Sequence, residues 1–364
     1  MRYKEYIQNL PAYKPATLIA GPSADLVKLS SNENPLGPSP KALAAITQAA
    51  AGVHRYPDSG AAALRQALAE RAGLGMGNVT CSNGSDEMIL TLSVGLIREG
   101  DEVVMTDGTF ISYLIRTLEL GGRPVRVPLR GYTHDLSAMA AAINERTRVV
   151  FICNPNNPTG TANSAAEVRA FIERVPEDVL IVVDEAYVEF IERDDYPDLL
   201  AELRAGRPNL LLLRTFAKIY GLAGLRLGYA YGPEELIGYL ERVRPTFNVN
   251  LLAQVAGLAA LEDDEHLQRS RAHTAASRAF YMAELRALGL EPIPSETNFV
   301  AVPVGDDAAV GAGLRDRGFT VTTLAGWGLP GLIRISFGTD AQNRGLVAAL
   351  KDVLRHVSNR TFPA

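Results

Sequence analysis

The chain has 364 residues, 47% of them hydrophobic, enough for one large α/β domain with a sizeable core and a smaller second domain. Its formal net charge is −5 and it carries no basic run, so it does not read as a nucleic-acid binder. No stretch of about 18 apolar residues predicts a membrane span. Two cysteines, Cys81 and Cys153, are too few for a disulfide framework, and the five histidines lack paired metal-ligand spacing, so no metal is expected. The opening MRYKEYIQNLP lacks the apolar centre of a signal peptide, and the expected location is cytoplasmic.

Residues 1–29 read as irregular, with Pro11, Pro15 and Pro22. SSNENPLG follows as a polar turn, then a helix after Ser39 with Pro40 at its first position and Leu43 and Ile46 on one face. HRYPD at 54–58 precedes a helix capped near Ser59 that turns Leu64 and Leu68 inward. A strand at 78–82 leads into Asn83-Gly84-Ser85-Asp86, where a helix opens. Gly84 permits close backbone approach there, and the helix amides face whatever lies at its N-terminus, which suits a phosphate; a well-capped acidic helix start is the plainer alternative.

Strands then alternate with helices: strands at 102–105, 124–129, 148–153 and 179–183, and helices at 110–120, 136–143 and 164–174. Near-continuous apolar strands in such alternation predict a mostly parallel sheet covered on both faces, with the site at the C-terminal strand ends. The chemistry-bearing residues fall there. Phe110, just past a strand, can stack on an aromatic ring or simply pack its helix. Asn154-Pro155-Asn156-Asn157-Pro158-Thr159-Gly160 fixes an unusual path that holds Asn157 as a stiff neutral donor. Asp184 ends a buried strand, where it can cap a helix or keep a pyridine nitrogen protonated. Tyr187, three residues on, can reach the same group as Asn157, whereas Glu185 reads as structural support.

The segment 209–232, NLLLLRTFAKIYGLAGLRLGYAYG, organises the rest. Leu210–Leu213 and 227–231 are buried strands, and Lys218 lies in the tight turn between them. A lysine in a dry site is pushed toward the neutral amine, which condenses with aldehydes to a Schiff base. Thr215 and Arg226 can hold a phosphate from two sides. An aldehyde that carries a phosphate and pairs with lysine is pyridoxal 5′-phosphate. A second alternation ends the chain: helices at 251–260 and 265–288, strand 298–303, helix 307–317, strands 319–323 and 332–337, and helix 339–357. Arg334, in the last strand, has a guanidinium fork suited to a carboxylate or phosphate, or to an ion pair at the strand edge.

The lysine segment, NPNNPTG, Asp184-Glu185-Ala186-Tyr187 and HRYPD together resemble the fold-type I aminotransferases, and most closely the histidinol-phosphate aminotransferase family, from Tyr13 to Arg334. The resemblance implies a pyridoxal-phosphate-dependent aminotransferase of amino-acid biosynthesis. It would move an amino group between an amino acid, an aromatic one included, or histidinol phosphate and 2-oxoglutarate. It places Gly84, Ser85 and Asp86 at the cofactor phosphate, Phe110 on the ring and Asn157 and Tyr187 at the phenolate oxygen. It implies a homodimer in which Tyr56 reaches the neighbouring subunit's phosphate and Tyr13 the neighbouring substrate. SSNENPLG becomes the substrate-side loop, and Arg334 grips the substrate's acidic group.

The expected architecture is α/β: a large cofactor-binding domain, 30–250, with a mostly parallel sheet sandwiched by helices, and a smaller α+β domain from 1–29 and 251–364. Two departures from the family pattern stand out. Ala217 replaces the serine usual before the lysine, and Val321-Thr322-Thr323-Leu324 lacks a second arginine on the strand before Arg334. Losing one charge-assisted partner weakens phosphate binding by about 1.5–3 kcal/mol, which favours an ordinary amino acid, an aromatic one included, whose monoanionic α-carboxylate Arg334 alone can grip. Trp327 could line that pocket or remain a loop contact. The rivals are decarboxylation of a phosphorylated amino acid on the same site, and a non-catalytic binding module.

Overall fold

The computed structural model describes residues 4–8, 10 and 26–361, with the side chains of the last five left aside. Tyr13 lies outside the described residues.

Twelve strands are described: β1 (Val27–Lys28), β2 (Val79–Ser82), β3 (Glu102–Thr106), β4 (Arg123–Val127), β5 (Thr147–Cys153), β6 (Leu180–Asp184), β7 (Leu210–Thr215), β8 (Gly228–Tyr231), β9 (Phe299–Pro303), β10 (Phe319–Thr320), β11 (Thr322–Thr323) and β12 (Leu332–Ser336). Seven form one sheet in the order β2-β8-β7-β6-β5-β3-β4, with β8 antiparallel to both neighbours and the other pairs parallel. The sheet is buried on both sides, and period-2 alternation sorts its apolar residues between two cores. Val150, Ile152, Ile181, Val183, Leu210 and Leu212 enter one core; Val149, Phe151, Leu180, Val182, Leu211 and Leu213 enter the other. This two-sided burial is why the strands read as unbroken apolar runs.

The antiparallel sheet β11-β12-β9 lies over a separate core with Leu29, Tyr281, Val300, Ile333 and Ile335. The helix Leu251–Leu261 buries Ala253, Ala256 and Ala260 in the large sheet's core, while the long helix Asp264–Ala287 gives Tyr281 and Leu285 to the small one.

Helix Pro40–Ala49 begins with proline behind a Ser39 cap, but Ala42 faces inward while Leu43 is 53% exposed. Helix Ala62–Ala72 is capped by the Asp58 carboxylate, which accepts from the Gly60 and Ala62 amides, and not by Ser59. The backbone bonds hold the Asp58 carboxyl below the usual carboxylate range. The strand expected at 319–323 divides: β10 pairs with β1, and β11 pairs with β12. One short segment thus serves two sheets by changing partner at Val321. The helix Leu199–Arg204 was not evident in the sequence pattern; Asp198 caps it. No helix of the described residues is long and apolar enough to cross a membrane.

Candidate active site

The parallel strands bring their C-terminal ends together, and four separate turns meet there. Ser85, Asp86, Phe110, Asn157, Asp184, Tyr187, Thr215, Lys218 and Arg226 line one cavity of about 140 Å³ with Cys153, Ala186 and Ala217. The register explains the convergence: Cys153 pairs with Asp184 and Asp184 with Leu213, so the turns after β5, β6 and β7 start at one level.

Lys218 is partly buried, and its Nζ donates to the Ser31 carbonyl at 3.3 Å and lies 5.6 Å from the centre of the Tyr187 ring. Burial first, then the Arg334 and Arg226 charges, pull its pKa down to about 8, against the pull of Glu33 and Asp184. Asp184 is buried. Its carboxylate accepts from the Tyr113 hydroxyl at 2.7 Å and the Ala186 amide at 3.1 Å. Burial pushes it up to about 6, although Tyr113, the Ala186 amide and Lys218 favour its charged form. Among the described residues it makes no ion pair within 4 Å. The buried anion is therefore short of a cation, and a pyridinium N–H in the cavity would supply one. Glu185, by contrast, receives both Nε and Nη2 of Arg214 at 2.8 Å, which fits its reading as support.

Tyr113 stacks on Phe151 with centroids 4.5 Å apart, and Phe110 meets Tyr113 edge-on at 5.6 Å. Tyr113 thereby braces Phe110, which lines the cavity. The NPNNPTG turn is pinned by Asn156, which accepts from the Thr109 hydroxyl at 2.8 Å and donates to the Gly108 carbonyl at 3.0 Å. Asn157 accepts a bond from Arg334 Nη1 on its carbonyl oxygen, which leaves its NH2 as the donor the cavity can use.

The anion corner is built at Gly84. Its φ of +85° suits glycine, and a Cβ there would run into the Arg226 guanidinium. At Gly228 a Cβ would lie 2.6 Å from the Ser85 amide nitrogen, so strand β8 can press against the same turn only as glycine. The helix Ser85–Leu96 aims its free amides here, beside Arg226. Asp86 lines the cavity, but its carboxylate is engaged by the Ser112 hydroxyl and by Arg116 Nη2 at 2.5 Å. A free carboxylate would repel a phosphate, so only its backbone amide suits one. Thr215 is also engaged: it donates to the Leu227 carbonyl at 3.3 Å and accepts from the Ala217 amide at 3.0 Å. We expect Gly84→Ala to displace Arg226 and weaken binding of a phosphorylated ligand at least about tenfold, read as the dissociation constant in a visible titration with pyridoxal phosphate.

Arg334 is buried on β12, the central strand of its small sheet and not an edge. Its Nη2 donates to the Ser30 carbonyl at 2.7 Å and to the Thr322 hydroxyl at 3.1 Å. Its guanidinium carbon lies 5.2 Å from the Phe299 ring centre and 5.6 Å from that of Trp327. Burial lowers its pKa to about 10, still cationic at neutral pH.

Tyr56 stands apart, 82% exposed and stacked on Phe247 with centroids 4.6 Å apart. It lines a different cavity, of about 550 Å³, with Val53, Leu251 and Leu252. Sequence reasoning missed Tyr113, which holds Asp184, and placed Asn32 only within the SSNENPLG loop, without its contact to Tyr187. Among the described residues no three His, Cys, Asp or Glu side chains form a metal cluster. His134 bridges the Thr106 hydroxyl and the Cys153 carbonyl, each at 2.8 Å, and burial lowers its pKa to about 4.

A depressed lysine, an anion corner of helix amides and arginine, an aromatic floor and a buried carboxylate fit an aromatic aldehyde that carries a phosphate and a ring nitrogen. Comparisons with known proteins agree. The family model for aminotransferase class I and II matches residues 24–350. The chain is 46% identical to a histidinol-phosphate aminotransferase of Akkermansia muciniphila, over 96% of this chain and 98% of that one. It is 45% identical to that of Moorella thermoacetica, over 91% and 86%. The crystal structure of histidinol-phosphate aminotransferase from Sinorhizobium meliloti in complex with pyridoxal 5′-phosphate superposes with a TM-score of 0.88, at 32% identity and 98% coverage of each chain. The cofactor is pyridoxal 5′-phosphate, and the chain belongs to the class I and II aminotransferases, within them to the histidinol-phosphate aminotransferase family.

Proposed function

We propose that this aminotransferase moves the amino group of histidinol phosphate to a 2-oxo acid such as 2-oxoglutarate, a step of histidine biosynthesis. The observation that carries the reading is near-full-length identity of 41–46% to relatives that bear that name.

When bound, the cofactor supplies an electron sink for the carbon that loses its proton. The chain's residues do the rest. Lys218 Nζ anchors the aldehyde carbon and is the base for the donor's α-proton. Asp184 holds the proton on the ring nitrogen. Asn157 and Tyr187 donate to the phenolate oxygen, and Phe110 covers one ring face. The Ser85 and Asp86 amides, the Ser85 hydroxyl and Arg226 take the phosphate, at the turn that Gly84 shapes. Arg334 reads the substrate's acidic group, with Asn157 beside it.

The working unit is proposed to be a cytoplasmic homodimer. Tyr56 would serve the phosphate of a second copy, since it is exposed beside an apolar cavity and stands apart from its own anion corner. Tyr13 would serve the second copy's substrate. A cofactor-binding domain of 30–250, into whose core the helix Leu251–Leu261 packs, and a smaller domain from 1–29 and the rest of 251–364 complete the proposal.

A second reading, an aromatic amino acid as donor, is favoured by Thr322, which pairs across the strands with Arg334 where a second cation could stand. Steady-state kinetics with 2-oxoglutarate separate the two. Histidinol phosphate is expected to exceed phenylalanine in kcat/KM at least about a hundredfold. The reverse ranking would overturn the first reading and favour the second.

A further inference from the structure

Asn32 sits at a junction that the assigned chemistry leaves unused. It is 1% exposed and has φ +56°, a left-handed conformation uncommon outside glycine. Every polar group it has is engaged. Its backbone amide donates to Ser336 Oγ at 2.9 Å, and Ser336 Oγ donates back to Asn32 Oδ1 at 2.7 Å. Its carbonyl accepts from Asn298 Nδ2 at 2.9 Å, and its own Nδ2 donates to Tyr187 Oη at 2.9 Å.

The Ser336 hydroxyl accepts from the Asn32 backbone amide and gives its proton to Oδ1, and in this arrangement the other end of the amide faces Tyr187. With the serine proton given to Oδ1, the NH2 group must point at the phenol. A phenol oxygen that accepts there has one proton left to give, and it cannot give it back to an NH2 group. We propose that Asn32 is a positioning residue that fixes the Tyr187 hydroxyl as a donor into the cofactor cavity. The inference rests on the reading of Tyr187 as a partner of the cofactor's phenolate oxygen.

The same residue joins the two halves of the site. Ser336 lies two residues from Arg334 on β12, hence on the same face. The carbonyls just before Asn32 receive the other two working groups: Ser30 takes Arg334 and Ser31 takes Lys218. A left-handed residue at 32 sets the direction of this turn. The charged and titratable groups around Tyr187 are Lys218, Arg334, Asp184 and Cys153.

The test is the pH midpoint of the visible band of the holoenzyme. A proton donated to the phenolate oxygen weakens the hold of the adjoining Lys218 nitrogen on its own proton, so losing the donor raises the midpoint. Tyr187→Phe is expected to raise it by about one pH unit. Asn32→Asp tolerates the left-handed backbone and keeps the Ser336 bonds, but its carboxylate takes the Tyr187 proton. It is expected to match Tyr187→Phe. Asn32→Gly keeps the backbone but frees the phenol to choose, and should shift the midpoint less. A merely structural role reverses that order, because glycine removes more. The double variant N32D/Y187F should stay within about 0.3 units of Y187F. An additive double variant means that the new charge acts by itself, and overturns the proposal. So does a larger shift in Asn32→Gly than in Asn32→Asp. If Tyr187→Phe leaves the midpoint in place, the reading of Tyr187 fails and the proposal fails with it. A shift in Y187F with none in N32D sinks the proposal alone.

Discussion

Lys218→Ala is expected to lower turnover at least about 10⁴-fold and to abolish covalent capture of the cofactor. Among the described residues no second lysine lines the cavity to replace it. In the proposed reading the residue acts twice, as the anchor for the aldehyde and as the base for the α-proton, so no neighbour can restore both. Its environment also fixes a pH dependence. With a pKa of about 8, roughly one amine in ten is neutral at pH 7, against about one in three thousand for an unshifted lysine. Cofactor capture by the apo-protein should therefore accelerate as pH rises toward 8 and level off above it. The linked effect on stability has a definite sign. Between about 8 and 10.5 the unfolded chain holds a proton that the folded chain has released, so apo-protein stability rises with pH through that window. Lys218→Ala should flatten that rise. Rapid-mixing spectra and melting curves across pH 6–10 measure both.

Asp184→Asn is expected to reduce activity at least about a thousandfold and, in the same protein, to raise the melting temperature of the apo form. The carboxylate is buried with only a tyrosine hydroxyl and one amide as hydrogen-bond donors. Its folded pKa of about 6 lies above the unfolded 3.8. Between these values the folded protein keeps a proton that the unfolded one has lost, so stability falls as pH climbs through the window. The penalty is complete above about 6, on the order of 3 kcal/mol. Asparagine removes the buried charge. Its NH2 group can donate to the Tyr113 oxygen, which then accepts, and its carbonyl keeps the Ala186 bond. The gain corresponds to on the order of 5 °C. The loss of activity has a separate cause: a neutral amide does not hold the ring nitrogen's proton. Calorimetry on apo-protein beside turnover of the loaded enzyme measures the pair. A variant both less active and less stable would contradict the reading of Asp184 as a functional charge held at the expense of stability.

The legible part of the site was the part that follows from local pattern. Asp184 and Lys218 each lie at or just beyond the end of an apolar strand, where a parallel sheet collects its polar ends. Asn157 was marked by two prolines and a glycine within seven residues. Gly84 was marked by a strand, a glycine and an acidic helix start in sequence. What escaped depends on pairing across the chain. Asn32 bonds Ser336, 304 residues away, and Tyr113 bonds Asp184, 71 away. Neither tyrosine nor asparagine carries a local mark of such a partner. The division of 319–323 between two sheets was hidden for the same reason: β1 is two residues long, too short to show alternation. The parts of Asp86 and Thr215 changed once their partners were visible, since Ser112, Arg116 and Leu227 already hold them.

The most direct test of the central claim is chemical mapping of the cofactor. The chain has few lysines: Lys4, Lys14, Lys28, Lys41, Lys218 and Lys351. Borohydride reduction of the holoenzyme, digestion and mass spectrometry should find the pyridoxyl adduct on the peptide that contains Lys218, with the visible band lost in proportion. An adduct on another lysine, or none after loading with excess pyridoxal phosphate, would contradict the account of the site.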